Sequence, residues 1–446
     1  MKVLVIGSGG REHALAWKIR QSPSVEQVFC CPGNAGIARD AVCRPADLQD
    51  VRRLADLASE LAADLTVIGP DAVVAAGLAD ELIARGMGVF GPQRAAAQLE
   101  SSKIFAKEFL RRHRIPTADF AVCADYSTAL QALGRWGGPV VLKADGLAAG
   151  KGVVVASEPM QARAVLDALV SGRLVGDAGH RVVLEEKLIG EEASFHVLAD
   201  GNTVVPLATT QDHKPVWDDD LGPNTGGKGA YCDDRILSEK LTRRVFDEII
   251  TPTFDGLRAD GIVYRGVLYI GLMITDDGPK VLEFNARFGD PETQALFFRF
   301  RGDLAETLLA VSNGALGAVR FDWEPGASVC VIACSEGYPG AYATGKEITG
   351  LAAAEELGVK VFHAGTAASH GPGSRPGNRP GSGPEPAQAD GHFATAGGRV
   401  LGVTARGRTL DAAVDIAYNA VSRIHFDGMH YRRDIARKGL LRTHPL

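Results

Sequence analysis

"VVLKADGLAAGKGVVVA" spans residues 140 to 156, and the reading of its glycines decides the fold. The segment Gly146-Leu147-Ala148-Ala149-Gly150-Lys151-Gly152 invites comparison with a Walker loop. That loop needs four residues between its glycines and a hydroxyl after the lysine. Here three residues separate Gly146 from Gly150, and Gly152 stands where Ser or Thr would hold magnesium. A Walker loop also opens a helix, whereas Val153-Val154-Val155 is a β-branched run that favours strand, as does Val140-Val141-Leu142-Lys143 before it. The spacing therefore predicts a strand, a glycine-rich loop and a second strand. Successive backbone N–H groups in such a hairpin can cradle phosphate oxygens. The bland alternative is an ordinary mobile hairpin; Lys143 and Lys151, both of suitable reach, favour phosphate.

Around this hairpin lie 446 residues, too many for one core, so about three domains are expected. The composition, 46% hydrophobic and 23% charged, is that of a globular protein. Net charge is −6, with no block of Lys or Arg, which argues against a nucleic-acid partner. No apolar run approaches a membrane span, and the apolar stretch Val3 to Ile6 is too short for a signal peptide. Seven cysteines without a C-x-x-C pair argue against a disulfide framework and a zinc site. Cys30 and Cys31 read as buried thiols of a strand. The expectation is a cytoplasmic protein.

Residues 1 to about 100 alternate strand and helix: "KVLVIG", "REHALAWKIRQ", "VEQVFCC", "DLTVIGP", "GVFGP". Such alternation predicts a parallel sheet with helices on its faces. "LESSKIFAKEFLRRHRIP" reads as a helix capped by Ser101 or Ser102 and stopped before Pro116. A helix near "MQARAVLDALVSG" and a strand "RVVLEEKL" follow, then mostly antiparallel strands and helices to about residue 322, then a last α+β unit. From Ser369 to His392 Gly and Pro dominate, with no aliphatic residue larger than Ala. Such a stretch buries too little surface to order itself, and it reads as a long loop in place of a hairpin turn.

"VLEFNARFGDPET", residues 281 to 293, carries the strongest metal signal. If Leu282 to Arg287 is a strand, Glu283, Asn285 and Arg287 share a face. A carboxylate and an amide oxygen suit Mg²⁺, which takes few protein ligands and completes its shell with phosphate and water. Arg287 could grip phosphate by its planar fork, with Asp290 and Glu292 in the turn beyond. The competing reading is a solvated face with a salt bridge. "VLEEKLIGEEAS" supplies Glu185, Glu186, Glu191 and Glu192, one of which could accept ribose hydroxyls; a solvated acidic edge is the alternative. "QDHK" (Gln211 to Lys214) and "GPNTGGKGAY" (Gly222 to Tyr231) either turn the chain or bind, and Asp212 and Asn224 could meet the ammonium of a small amino acid. "GSGG" (Gly7 to Gly10) follows a strand and opens a helix, a setting for phosphate. It is not a dinucleotide fingerprint: the third glycine would fall at Glu12, and the second strand ends in Cys30-Cys31-Pro32 without an acidic residue. A single sugar phosphate fits better than NAD, with "PGNAG" (Pro32 to Gly36) and "GPD" (Gly69 to Asp71) closing the same crevice.

In this order the motifs resemble those of the ATP-grasp ligases and, within them, the phosphoribosylamine–glycine ligase (glycinamide ribonucleotide synthetase) family. "VLVIGSGGREHALAW", "PGNAG", "KADGLAAGKGV", "GEEAS", "QDHK", "GPNTGG" and "EFNARFGDPETQ" carry the resemblance over nearly the whole chain. It implies an N-terminal Rossmann-like α/β domain over residues 1–101 and an ATP-grasp domain over 102–322 with a hairpin lid at about 117–188. A C-terminal α+β domain over 323–446 would contain the Gly/Pro loop 369–392. It implies an ATP-dependent ligase of de novo purine biosynthesis that joins glycine to 5-phosphoribosylamine through glycyl phosphate, releasing ADP and phosphate, with Mg²⁺ (or Mn²⁺). A monomer acting on these small molecules is expected, with no nucleic-acid or membrane partner.

By the same resemblance, ATP phosphates would meet Lys103, Lys143, Gly146, Gly150, Lys151 and Gly152. Backbone atoms of Glu186 and Leu188 would read adenine, and Glu192 the ribose. Glu283 and Asn285 match the magnesium ligands. Arg287, Asp290 and Lys143 would be catalytic, with Glu292, Asp212 and Asn224 beside them. Gly9, Gly10, Arg11, Asn34 and Asp71 would bind phosphoribosylamine. Lys228 departs from the family's usual Met, and an added cation near the centre would bear on substrate affinity.

Overall fold

The computed structural model describes residues 1–136, 138–148, 152–174, 181–369 and 392–446. Its first sheet has five parallel strands: β1 (Lys2–Gly7), β2 (Gln27–Pro32), β3 (Val42–Cys43), β4 (Leu65–Ile68) and β5 (Val89–Phe90). Their order is β3-β2-β1-β4-β5, with every pair parallel. β1 is buried from Val3 onward, as expected of a strand covered on both faces. The strand order reverses between β1 and β4, which opens a crevice at their carboxyl ends. Gly9 there precedes the helix Gly10–Ile19, and Pro70 precedes the helix Asp71–Ala76.

The glycine hairpin belongs to a small antiparallel sheet of β6 (Phe120–Cys123), β7 (Val140–Ala144), β8 (Val153–Ala156) and β9 (Val182–Glu186), in the order β6-β9-β7-β8. β7 and β8 pair with Lys143 opposite Val153, so the stretch is strand, loop, strand. This unit has its own small core, including Leu142, Leu166, Leu169 and Leu184.

The largest sheet holds β10 (Glu191–Asp200), β11 (Val204–Pro206), β12 (Thr210–Asp212), β13 (Gly229–Cys232), β14 (Arg265–Thr275), β15 (Gly278–Asn285) and β16 (Ala327–Cys334). Beyond β17 (Glu347–Ile348) it continues with β18 (Lys360–His363) and, past β19 (Thr366–Ala368) and β20 (Phe393–Thr395), with β21 (Arg399–Gly407). The order is β15-β14-β10-β12-β13-β16-β21-β18, with β11 beside β10, and β17-β20-β19 form a separate small sheet. Strands on either side of residue 322 thus share one sheet. They also share one core, in which Phe195, Leu268 and Phe284 pack in the same cluster as Val329, Val400 and Val403.

Two local expectations are corrected. Leu99 to Ser101 belong to a preceding helix, Arg94–Ser101. Ser102 leaves helical geometry and caps Lys103–Arg112 by accepting the Phe105 N–H at 3.1 Å. Arg287 is not on the strand, because β15 ends at Asn285. A bulge opposite Gly271 and Leu272 inserts Leu282 between the paired residues Val281 and Glu283, and pairing is regular from Glu283 to Asn285. Cys30 and Cys31 are buried thiols, and the cysteines are free. No helix among the described residues is long and apolar enough to cross a membrane.

Candidate active site

A cleft of about 610 Å³ is lined from three directions: by Arg11 and Asp71 of the first sheet, by Lys103, Lys143, Glu283 and Asn285 of the middle region, and by Tyr338 and Arg399 beyond residue 322. Gly146, Gly152, Glu186, Leu188, Glu192, Asp212, Asn224, Arg287, Asp290 and Glu292 also line it. Gly150 and Lys151, and the Gly/Pro segment between Ser369 and His392, lie outside the described residues.

At the hairpin end, the Lys143 ammonium donates to the Leu282 carbonyl at 2.8 Å and pairs with Glu185 at 2.9 Å. The same Glu185 oxygen pairs with Lys107 at 3.2 Å, while its other oxygen is buried without a protein partner. Leu282 is the extra residue at the strand bulge. Glu186 accepts the Asp119 N–H at 3.0 Å, which ties down the end of β9 two residues before Leu188.

Glu283 pairs with Lys214 at 3.0 Å, and Lys214 lies 3.8 Å from Glu192. Burial alone would raise Glu283; Lys214, then Lys103 and Lys143, hold it well below the usual carboxylate range. The carboxylate is therefore charged, and the Asn285 amide oxygen beside it accepts from Arg287 at 3.1 Å. These two oxygens suit a hard cation that takes the rest of its shell from phosphate and water. Among the described residues no cluster of three or more His, Cys, Asp or Glu could hold a metal ion.

Arg287 also pairs with Glu100 at 2.9 Å, and Glu100 accepts the Ala286 N–H at 2.8 Å, so the arginine's direction is set from below the strand end. Asp290 accepts from Gln294 at 2.8 Å on one oxygen and from Arg399 at 2.7 Å on the other. Burial would raise Asp290, but Arg399 and then Arg11 hold it below the usual range. Asp212 and Glu292 behave oppositely: burial lifts both, and the charge of Glu292 adds to the rise of Asp212. Their acidic pocket also contains Ser194, 3.2 Å from Glu292.

Gly9, Gly10 and Asn34 do not line the cleft. The Gly9 N–H donates to Glu12 at 2.6 Å, and a Cβ on Gly10 would sit 2.7 Å from Nε2 of Gln294. Gly10 lets the first helix pack against the helix Glu292–Arg299, while a Cβ on Gly9 would crowd Glu12. Asn34 spends its amide on the carbonyls of Ser8, His363 and Ala364 and its oxygen on the N–H groups of Gly36 and Ile37. Lys228 is fully buried 3.3 Å from His430, and its link to the cleft is the Tyr338 ring at 5.9 Å. Sequence reasoning did not single out Glu100, Lys214, Tyr338 or Arg399. Arg399 sits in "GRVLGVTA", which reads as plain strand, and nothing local marks it.

A parallel sheet with a crevice, a hairpin lid and a cation-lined cleft against a large antiparallel sheet define an ATP-grasp protein. Sequence models of the phosphoribosylglycinamide synthetase family match three segments: the N domain over residues 1–100, the ATP-grasp (A) domain over 101–293 and the C domain over 328–438. The phosphoribosylamine–glycine ligase of Pseudomonas aeruginosa is 48% identical over 445 residues, covering 99% of each chain. That of Escherichia coli K12 is 47% identical with the same coverage. The crystal structure of the Thermotoga maritima phosphoribosylamine–glycine ligase superposes with a TM-score of 0.81 at 32% identity, covering 98% of this chain and 100% of that one. A biotin carboxylase domain from Hydrogenobacter thermophilus, 16% identical with a TM-score of 0.68 and covering 96% of this chain and 91% of that one, shares the fold. The chain belongs to the phosphoribosylglycinamide synthetase family.

Proposed function

We infer that the chain is an ATP-dependent carboxylate–amine ligase that joins glycine to 5-phosphoribosylamine, giving glycinamide ribonucleotide, ADP and phosphate, in purine biosynthesis. The observation that carries this reading is the single cleft to which all three matched segments contribute charged side chains. Family membership over the whole chain supports the substrates. ATP is the co-substrate and Mg²⁺ the metal; Glu283 and Asn285 would hold the ion, which would supply charge neutralisation at the transferring group.

A carboxylate is a poor electrophile, so the reaction runs in two steps. A glycine carboxylate oxygen forms a bond to the γ-phosphorus as the bond to ADP breaks, giving glycyl phosphate. The amine nitrogen of phosphoribosylamine then bonds to the acyl carbon, the carbon–oxygen bond to phosphate breaks, and the amine loses a proton. No protein nucleophile is required; alignment and electrostatics do the work. Lys143 and Arg287 offset charge on the phosphoryl group, with Lys103 and the loop Gly146 to Gly152, including Gly150 and Lys151, along the phosphates. Glu186 and Leu188 offer backbone atoms to adenine, and Glu192 meets the ribose. Asp290, kept ionised, orients the amine, while Asp212, Asn224 and Glu292 receive the glycine ammonium. Arg11 and Asp71 face the phosphoribosyl group, with Gly9, Gly10 and Asn34 supporting that loop cluster. The lid excludes water that would hydrolyse glycyl phosphate.

The proposed division into residues 1–101, 102–322 and 323–446 separates contributions to the cleft, although one sheet crosses residue 322. A cytoplasmic setting fits the free cysteines, all but Cys43 buried, and a monomer is proposed. The decisive experiment measures ADP release from Mg·ATP with glycine, with freshly generated phosphoribosylamine, and with both. Release only with both supports the reading; release with neither, or only with another acid, overturns it.

A further inference from the structure

We infer that Arg399 and Tyr338, both from the region beyond residue 322, are positioning residues that hold the acceptor half of the cleft in shape. Arg399 is the first residue of β21 and Tyr338 lies just past β16. The peptide unit at Gly226 is held on both sides by this pair. Its N–H donates to the Tyr338 hydroxyl at 3.1 Å, and its carbonyl accepts from Nη1 of Arg399. The same guanidinium donates to the Asp290 carbonyl at 2.8 Å and to the Asp290 carboxylate at 2.7 Å. One planar fork thus joins two loops that have no strand pairing with each other: Asn224 to Gly227, and Gly289 to Pro291.

The two loops are crowded where they meet. Gly227 has φ +106°, and a Cβ on it would lie 2.5 Å from Pro291 and 3.0 Å from the Asp212 carboxylate. A Cβ on Gly398 would lie 2.3 Å from the Tyr338 ring and 2.8 Å from that of Tyr342, so the aromatic pair packs directly against the backbone before Arg399. The clamp is therefore built into the fold at three backbone positions. Side-chain hydrogen bonds from the pair go to the Gly226 loop and Asp290, not to Lys103, Lys143, Glu186 or Leu188 at the nucleotide end. Arg399 holds the carboxylate assigned to the amine and the loop that carries Asn224. A lysine in its place offers a point charge without the fork and cannot span both loops.

This inference rests on the proposed ligase reading, and the test separates the two. Arg399→Ala, Arg399→Lys and Tyr338→Phe are compared with the native chain for Mg·ATP dissociation constant and for kcat and KM of glycine and phosphoribosylamine. The expected result is a Mg·ATP dissociation constant within about two-fold of native in all three variants. Arg399→Ala should lose at least about 100-fold in kcat/KM for the acceptor substrates, and Arg399→Lys at least about ten-fold. Tyr338→Phe should raise KM for these substrates while leaving kcat nearly unchanged. Guanidinium ion added to Arg399→Ala should restore part of the rate, which loss of fold would not permit. Weakening of Mg·ATP binding in step with the loss of turnover would overturn the inference, as would an Arg399→Lys enzyme with native kcat/KM. A native chain that releases no ADP with both substrates present would instead overturn the ligase reading.

Discussion

At the scale of single residues, the cleft sorts its carboxylates by what surrounds them. Glu283 and Lys214 are half-buried groups whose charges are kept by their mutual contact. Replacing Glu283 with Gln leaves that lysine without its nearest anion and removes one oxygen charge from the metal site. Turnover should fall by at least about 100-fold and should not recover as magnesium is raised. A magnesium titration of ADP release checks this, and near-native turnover would remove Glu283 from the metal site. Asp212 is the opposite case. Its folded state binds a proton more tightly than the unfolded chain does, because burial and Glu292 disfavour its charge. That contribution to stability is present below the unfolded pKa and is lost as pH rises through the raised folded value. Asp212→Asn removes the loss, so the variant should melt at or above the native temperature at pH 8, with a smaller gap near pH 5. Its ligase activity should still fall steeply. Calorimetry at the two pH values decides: a variant that melts well below the native protein at pH 8 would contradict the assignment.

At the scale of elements, packing between helices reaches the reacting groups. The first helix approaches Glu292–Arg299 so closely that a methyl on Gly10 would meet Nε2 of Gln294, which donates to Asp290. Gly10→Ala should therefore raise KM for phosphoribosylamine by about ten-fold through Asp290, with Mg·ATP binding unchanged. Steady-state kinetics with each substrate varied in turn measures that split. The lid is tied to the helix Lys103–Arg112 by Glu185, which serves both Lys107 and Lys143. Burial pushes Lys107 down to about 8 even with this carboxylate beside it. Glu185→Ala leaves a buried cation unpaired and should cost about 3 kcal/mol in urea unfolding. A change below about 1 kcal/mol would show that the pair is not a structural tie.

For the whole molecule, the continuous large sheet sets what can be separated. A chain ended at residue 322 would lose β16, β21 and β18, expose the edge of β13 and remove much of the shared core. Such a fragment should fail to give a soluble species that binds Mg·ATP, and a well-folded one would refute the single-core description. The lid, with its separate small core, should exchange amide hydrogens faster in β6, β7, β8 and β9 than β10 and β14 do, and Mg·ATP should slow that exchange. Hydrogen exchange with and without nucleotide reads both effects.

The local code of the sequence was sufficient for most elements, although the boundary between the helices Arg94–Ser101 and Lys103–Arg112 escaped it. β-branched runs around Gly146 to Gly152 ruled out a Walker loop and required a hairpin. The apolar run of β1 required a sheet covered on both faces, and the chain order of motifs indicated the family. The period of two grouped Glu283, Asn285 and Arg287, and all three line one cleft, but Arg287 reaches it from beyond the strand end at Asn285, which the partner strand β14 sets. The same limit applies to Arg399, Tyr338 and Glu100. Their roles come from contacts across 109, 112 and 186 residues of chain, made when β21 joins the sheet and when the first domain's last helices meet the end of β15. Only tertiary structure decided which of the many charged residues are buried in pairs, since burial and pairing energies arise from groups that sequence spacing does not bring together.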